Sequence, residues 1–181
     1  MTVTVRAAAP ADIPAMEALI KRSGIELSEG FYTAEQARAV TQHVFGVDTQ
    51  LVTDRTYFIV EEAGQMVACG GWSRRATLFG ADRIKQQADP LLDPAIEPAR
   101  IRAFFVEPWA ARRGYGRLLL TWCTEAAAAG GFTTLELAAT LPGVPLYAAC
   151  GFEKVENIDI TLPGAANRPL QVPLVRMRKT I

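Results

Sequence analysis

Phe104-Phe-Val-Glu-Pro-Trp-Ala-Ala-Arg-Arg-Gly-Tyr-Gly-Arg117 is the stretch on which the reading of this chain turns. An apolar, β-type run ends at Val106, Pro108 turns the chain, and Arg112-Arg113-Gly114-Tyr115-Gly116-Arg117 opens a helix. The first turn of a helix has backbone N–H groups without intrahelical partners and the positive end of the helix dipole. Glycines at 114 and 116 let an anion approach the main chain, and three arginines add charge. Physically this is a cradle for a phosphate or pyrophosphate. On these six residues alone the simpler alternative, a Gly-rich helix start with solvent-facing arginines, has the stronger claim. Two nucleotide readings fail outright. A P-loop needs Gly-Lys-Ser/Thr, which is absent, and a dinucleotide fingerprint needs a third glycine where this chain has Leu119.

Working outward, Gly114–Ala129 carries Tyr115, Leu118, Leu119, Trp122 and Ala126 at helical spacing and ends at Gly130-Gly131. Arg100–Val106 before it and Thr133–Ala139 after it read as strands, parallel because a helix joins them. Upstream, Thr56–Glu61 and Gln65–Ser73 flank Ala63-Gly64 as a hairpin. Thr2–Ala7 alternates as a first strand, and Asp12 before Ile13-Pro14 is the expected N-cap of a helix to about Ser23, stopped by Gly24. Thr33-Ala-Glu-Gln36 matches a capping box for a second helix to about Phe45, with Gly46 as its stop. Residues 76–99 read as a long excursion with at most a short helix. Downstream come a short helix near Val144–Ala149 and two strands, Phe152–Thr161 and Leu170–Lys179. The expectation is a single α/β domain over residues 1–181, with one mixed, mostly antiparallel sheet of six to seven strands and helices on both faces.

Composition restricts the function. Lys+Arg and Asp+Glu both number 19, so bulk charge gives no reason to bind nucleic acid. Apolar runs such as Leu118–Cys123 are too short to span a bilayer, and the first twelve residues lack the apolar core of a signal peptide. Cys69, Cys123 and Cys150 are odd in number and widely spaced, which fits a reducing cytoplasm rather than a disulfide framework. One histidine, His43, and no Cys-x-x-Cys make a zinc site a poor expectation, and no metal is expected. No Gly-x-Ser-x-Gly turn presents a serine to that histidine.

The wider spacing is more specific than the cradle. Val106-x-Pro108 followed by Arg112-Arg113-Gly114-x-Gly116 resembles the acyl-CoA-binding motif of the GNAT superfamily of acetyl-CoA-dependent N-acetyltransferases. Leu146-Tyr147-Ala-Ala-Cys-Gly151-Phe152 is similar to that family's second signature, about 40 residues further on with a helix and a strand between. The element order fits over nearly the whole chain. The resemblance implies that Phe104, Phe105 and Val106 bond the pantetheine arm of acetyl-CoA through their main chain. It implies that the pyrophosphate lies on N–H groups of Arg112, Arg113, Gly114, Tyr115, Gly116 and Arg117. It also implies that Tyr147 protonates the leaving thiolate. Two positions depart from the family pattern: Ala111 where Gln or Arg is common, and Thr140 where Asn is common.

Acetyl transfer to an amine needs a neutral nitrogen, a donor for the developing oxyanion, and a proton for the thiolate. A strand-end N–H near Val106 is the expected oxyanion donor. The base is open. The family's glutamate position on the fourth strand is Arg100 here, leaving Glu136, Glu107 or water. Glu136 either faces the acceptor beside Arg102 or pairs with Arg102 across the sheet, and Glu107 is expected at an exposed rim. Acceptor recognition should come from the two N-terminal helices and the 76–99 excursion. Glu26, Glu29, Tyr32 and Glu35 would suit a cationic amine, and Arg74 and Arg75 a carboxylate. The expected acceptor is the primary amine of a small molecule. A peptide N-terminus, or a CoA-binding sensor without turnover, are the alternatives, and a homodimer is open.

Overall fold

Seven strands form one sheet in the order β1-β2-β3-β4-β5-β7-β6. The computed structural model describes residues 2–82 and 89–181. The elements are β1 (Val3–Ala7), α1 (Ile13–Glu26), α2 (Ala34–His43), α3 (Thr49–Thr53), β2 (Tyr57–Glu62) and β3 (Gln65–Ser73). They continue with β4 (Ala99–Val106), α4 (Tyr115–Ala129), β5 (Thr134–Thr140), α5 (Val144–Ala149), β6 (Glu153–Pro163) and β7 (Pro169–Thr180). Every neighbouring pair is antiparallel except β4 with β5, the pair joined by α4. The helices cover both faces, as the alternation of apolar residues requires. Leu120, Cys123 and Ala127 of α4 pack with Ile101, Leu135 and Leu137 on one face. Met16, Leu19 and Ile20 of α1 pack with Tyr57, Ile59 and Phe105 on the other.

Local chemistry sets the boundaries. Ala63 and Gly64 both lie at positive φ, as a two-residue turn of the I′ type requires between β2 and β3. The capping box of α2 forms as read: Thr33 Oγ1 accepts from the Gln36 N–H at 3.1 Å, and Gln36 Oε1 accepts from the Thr33 N–H at 3.0 Å. Two expectations need correction. Asp12 does not cap α1 with its side chain; its carboxylate accepts from the Ala9 N–H at 2.8 Å, one turn earlier, and pairs with Arg6. Gly24 does not stop α1, which runs on to Glu26. There a Cβ would lie 2.6 Å from Thr41 Oγ1 and 2.7 Å from Phe45 Cδ2, so the glycine marks the close crossing of α1 with the second helix. The five-residue α3, capped by Asp48, has no sequence signal long enough to read. In the 76–99 excursion, residues 83–88 lie outside the described residues.

Two irregularities of β4 shape the middle of the sheet. Cys69 pairs with Phe105 but Gly71 with Arg102, so Ala103 and Phe104 together oppose Gly70. This is a bulge, and Ala103 takes φ +54° to make it. Gly70 makes room for it: a Cβ there would sit 2.4 Å from the Phe104 ring. The second irregularity is divergence. β4 pairs with β5 only at Ala99–Leu135 and Arg100–Glu136, while β4 continues on β3 to Val106 and β5 continues on β7 to Thr140. The two strands separate like the arms of a V.

Candidate active site

A cavity of about 620 Å³ opens between those arms. β4 contributes Ile101 to Val106, β5 contributes Leu137 to Thr140, and α5 contributes Leu146 and Tyr147. Its main-chain edge is unusual because β4 has lost its partner strand there. The Glu107 N–H donates to Val67 C=O on the β3 side, so strand alternation turns the Val106 N–H toward the cleft. Ser23 Oγ of α1 accepts that N–H at 3.3 Å. The expected oxyanion donor is thus already tied to a buried serine that sequence reasoning missed; a lone helix serine gives no signal.

At one end of the cleft the chain builds the cradle. Arg112 at φ +64° and Gly114 at φ +93° are both left-handed, a backbone arrangement that turns successive N–H groups to one side as in anion-binding nests. Gly114 is the N-cap of α4, and the Leu118 N–H is the first to reach back, to Gly114 C=O at 3.0 Å. The N–H groups of Tyr115, Gly116 and Arg117 precede that first bond, so helix geometry gives them no partner. A Cβ on Gly114 would meet nothing within 4 Å, so the ground above it is open. Gly116 serves a different need: a Cβ there would lie 2.9 Å from Leu146 Cδ2, so it lets α4 pack against α5. Arg112 and Arg117 line the cleft, whereas the Arg113 side chain turns away to Glu62 at 2.8 Å and over the Tyr115 ring. Arg113 therefore offers the cradle no side chain.

Tyr147 also lines this cavity. Its ring is held by Phe152, centroids 5.7 Å apart, and by Phe104 at 6.1 Å. Its hydroxyl has no hydrogen-bond partner among the described residues. Burial, helped by the nearby Cys123 and Cys150 thiols, pushes its pKa well above the ordinary phenol value, so it stays a proton donor at neutral pH. The cysteines themselves stand aside. None of the three lines the cavity, and burial pushes the Cys69 thiol up to about 12.

The acidic candidates fare differently from the tyrosine. Glu136 is fully buried and does not line the cavity. Arg100 reaches it at 2.6 Å, Arg176 at 2.9 Å and Arg178 at 2.5 Å. Burial alone would raise its pKa, but the hydrogen bonds from Arg176 and Arg178 and the charge of Arg100 hold it below the usual carboxylate value. Both expectations for Glu136 are corrected: it neither faces the acceptor nor pairs with Arg102, because the β4–β5 ladder ends at Arg100. Arg102 instead binds Asp48 at 3.0 Å and the carbonyls of Thr77 and Gly80. Glu107 is not at an exposed rim; it is buried and held by Arg22.

The proposed acceptor charges are committed elsewhere as well. Tyr32 is buried, donating to Pro173 C=O at 2.6 Å and accepting from the Leu141 N–H at 3.1 Å. Glu35 accepts from the Ala165 N–H, Arg75 pairs with Asp54, and Arg74 lies over the Trp72 ring. Glu26 and Glu29 are exposed and outside the cavity wall. Apart from Ser23, Ser28 and Arg102, the side chains that line this side of the cavity are apolar: Leu27, Phe31, Val44, Phe45, Leu78 and Phe79. Sequence offers no way to tell such residues from ordinary core.

The family model for the acetyltransferase (GNAT) domain matches residues 53–154, which span β2 to the start of β6. The chain belongs to the GNAT family. GNAT enzymes are acetyl-CoA-dependent acyltransferases, and the V-shaped cleft with its backbone cradle fits the pantetheine arm and pyrophosphate of that co-substrate. No curated protein matches the sequence. Similar solved structures include a GCN5-related N-acetyltransferase from Rhodopseudomonas palustris, 17% identical with a TM-score of 0.72, covering 100% of this chain and 97% of that one. The PaiA N-acetyltransferase from Thermoplasma acidophilum, solved with coenzyme A, is 10% identical with a TM-score of 0.66 and full coverage of both chains. The ribosomal-protein-S18-alanine N-acetyltransferase from Escherichia coli is 17% identical with a TM-score of 0.59, covering 99% of this chain and 94% of that one. At these identities the likeness shows the GNAT fold. Among the described residues no helix is long and apolar enough to cross a membrane, and no group of three or more His, Cys, Asp or Glu side chains is placed to hold a metal ion.

Proposed function

We propose that this chain acts as a single catalytic domain that transfers the acetyl group of acetyl-CoA directly to the amine of a small molecule. The observation that carries the reading is Tyr147: an unpartnered, protonated hydroxyl in the same cleft as the left-handed Arg112–Gly114 cradle. The co-substrate supplies an activated thioester. The N–H groups of residues 112–117 hold its pyrophosphate, with Arg112 and Arg117 adding charge, and the stretch of β4 from Phe104 to Val106, which β5 leaves unpaired, aligns its pantetheine arm. Tyr147 gives its proton to the departing sulfur and regains one from solvent. Without a cysteine on the cleft wall, the amine attacks the thioester itself rather than an acetylated enzyme.

Titration calorimetry with acetyl-CoA, followed by thiol release over a panel of amines, tests this. Binding with amine-dependent thiol release is the expected result. Binding without release to any amine would favour a sensor, and absence of binding at millimolar acetyl-CoA would remove the assignment.

A further inference from the structure

The acceptor end of the cleft has a chemistry of its own. Leu27, Phe31, Val44, Phe45, Leu78 and Phe79 wall it, and Phe31 stands at its edge 47% exposed, an aromatic ring left in water. The charged side chain on this wall is Arg102, whose guanidinium is spent on Asp48 and on the Thr77 and Gly80 carbonyls. Its charge is matched inside the protein and attracts neither anion nor cation. No Asp or Glu lines the cavity among the described residues, and Arg83-Ile-Lys-Gln-Gln-Ala88, which follows the wall segment in sequence, contains none. Of the acids on the packed elements, Glu17 accepts from the Val47 N–H, Asp82 from Thr49, Glu107 from Arg22 and Glu136 from three arginines, while Glu26 and Glu29 are exposed and lie outside the cavity wall.

An alkylammonium entering such a wall loses water and gains no counter-charge, an unfavourable exchange. An alkylamine with a pKa of about 10.4 is also uncharged in only about one molecule in 10³ at neutral pH. We infer that the acceptor is an aromatic amine bound as its uncharged base, its ring against Phe31, Phe45 and Phe79. This rests on the acetyl-transfer reading of the cleft. The chemistry balances without a carboxylate base. The nitrogen lone pair forms the C–N bond to the thioester carbonyl as the C–S bond breaks. The nitrogen loses one proton to water and the sulfur gains one from Tyr147, giving an amide and a free thiol.

The test compares an arylamine with the arylmethylamine carrying the same ring, using the full chain and acetyl-CoA. Between about pH 7 and 9 the arylamine KM should stay constant, while the arylmethylamine KM should fall roughly tenfold per unit as its uncharged fraction grows. Phe31→Glu places a carboxylate at the exposed edge. It should shift the ratio of the two kcat/KM values at least about tenfold toward the arylmethylamine, the size of a charge-assisted contact. Unchanged acetyl-CoA affinity would show that this variant is folded. An arylmethylamine KM that is flat with pH, or a preference of the unaltered enzyme for a di- or polyamine, overturns the inference and leaves acetyl transfer intact. Acetyl-CoA binding with transfer to neither amine also overturns it, whereas failure to bind acetyl-CoA removes the underlying function itself.

Discussion

The two ends of the cleft present opposite kinds of surface. The cradle end offers main chain: left-handed residues at 112 and 114, the first N–H groups of α4, and the edge of β4 that β5 leaves unpaired. The other end, where we place the acceptor, offers side chains from the end of α1, the segment after α2, and residues 78–81, joined by polar ties such as Arg102 to Thr77 and Asp48. A main-chain site tolerates change in most side chains but not in backbone conformation. A side-chain site can be re-cut residue by residue while the backbone stays put. One chain can therefore keep a fixed co-substrate and vary its acceptor.

The largest expected effect lies between the two ends. Tyr147→Phe keeps the ring against Phe104 and Phe152 but removes the proton, so turnover should fall roughly 10²- to 10⁴-fold with acetyl-CoA affinity nearly unchanged. Single-turnover kinetics beside calorimetry check this, and a thiol leaving group of lower pKa should recover part of the rate. Loss of binding with turnover preserved would make Tyr147 part of the cradle instead. Next in size is Glu136→Ala, which touches neither end. It leaves Arg100, Arg176 and Arg178 facing one another and should cost about 3 kcal/mol of stability, near the lower bound for a broken buried pair because two of the arginines reach solvent. Denaturant unfolding reads the loss. The same carboxylate sets an acid limit: its folded pKa lies below the unfolded value, so its contribution is complete above about pH 4.3 and disappears as pH falls through the folded value. Glu136→Gln should flatten the stability-versus-pH curve in that acid range.

Smaller effects separate backbone from side chain within the cradle. Gly114→Val forces a β-branched residue to φ +93°, costing about 1–2 kcal/mol in stability and placing a side chain on open ground where the pyrophosphate would lie. Acetyl-CoA affinity should drop well beyond that of Arg112→Ala, which removes an exposed charge and should weaken binding less than about tenfold. Calorimetry on both variants decides. If Arg112→Ala were the worse, recognition there would belong to side chains and the contrast between the two ends would vanish.

The same contrast explains how much the sequence disclosed. Glycines, a helix start and a strand end at fixed spacing leave a local mark, so the β4–α4–β5 unit and its Gly114 helix start could be read from the residues, whereas Tyr147 came only with the resemblance of residues 146–152 to a family signature. Apolar walls carry no such mark: Phe31 and Phe79 look like any buried phenylalanine until the helices are placed around them. Glu136 was misread for a different reason. Its partners Arg176 and Arg178 lie 40 and 42 residues away on β7, and only the β5–β7 register brings them beside it. The end of the β4–β5 ladder at Arg100, which excludes Arg102, is likewise a property of three-dimensional divergence and not of any local pattern.

The bulge in β4 acts as a phase shift in the strand's two-residue clock. Ahead of it, odd-numbered Ala99 and Ile101 point toward α4; past it, even-numbered Phe104 and Val106 do, while Ala103 and Phe105 point toward α1. Phe104 and Phe105 are the same residue type, so either phase would present a phenylalanine to each face, and hydrophobicity cannot choose between them. Gly70 makes that choice by admitting the Phe104 ring. Running the same residues past Gly70 without the bulge would leave a phenylalanine on each face while reversing which N–H groups face the cleft. The apolar pattern would still permit the sheet to form, so this one added residue sets which main-chain groups of β4 the cleft receives.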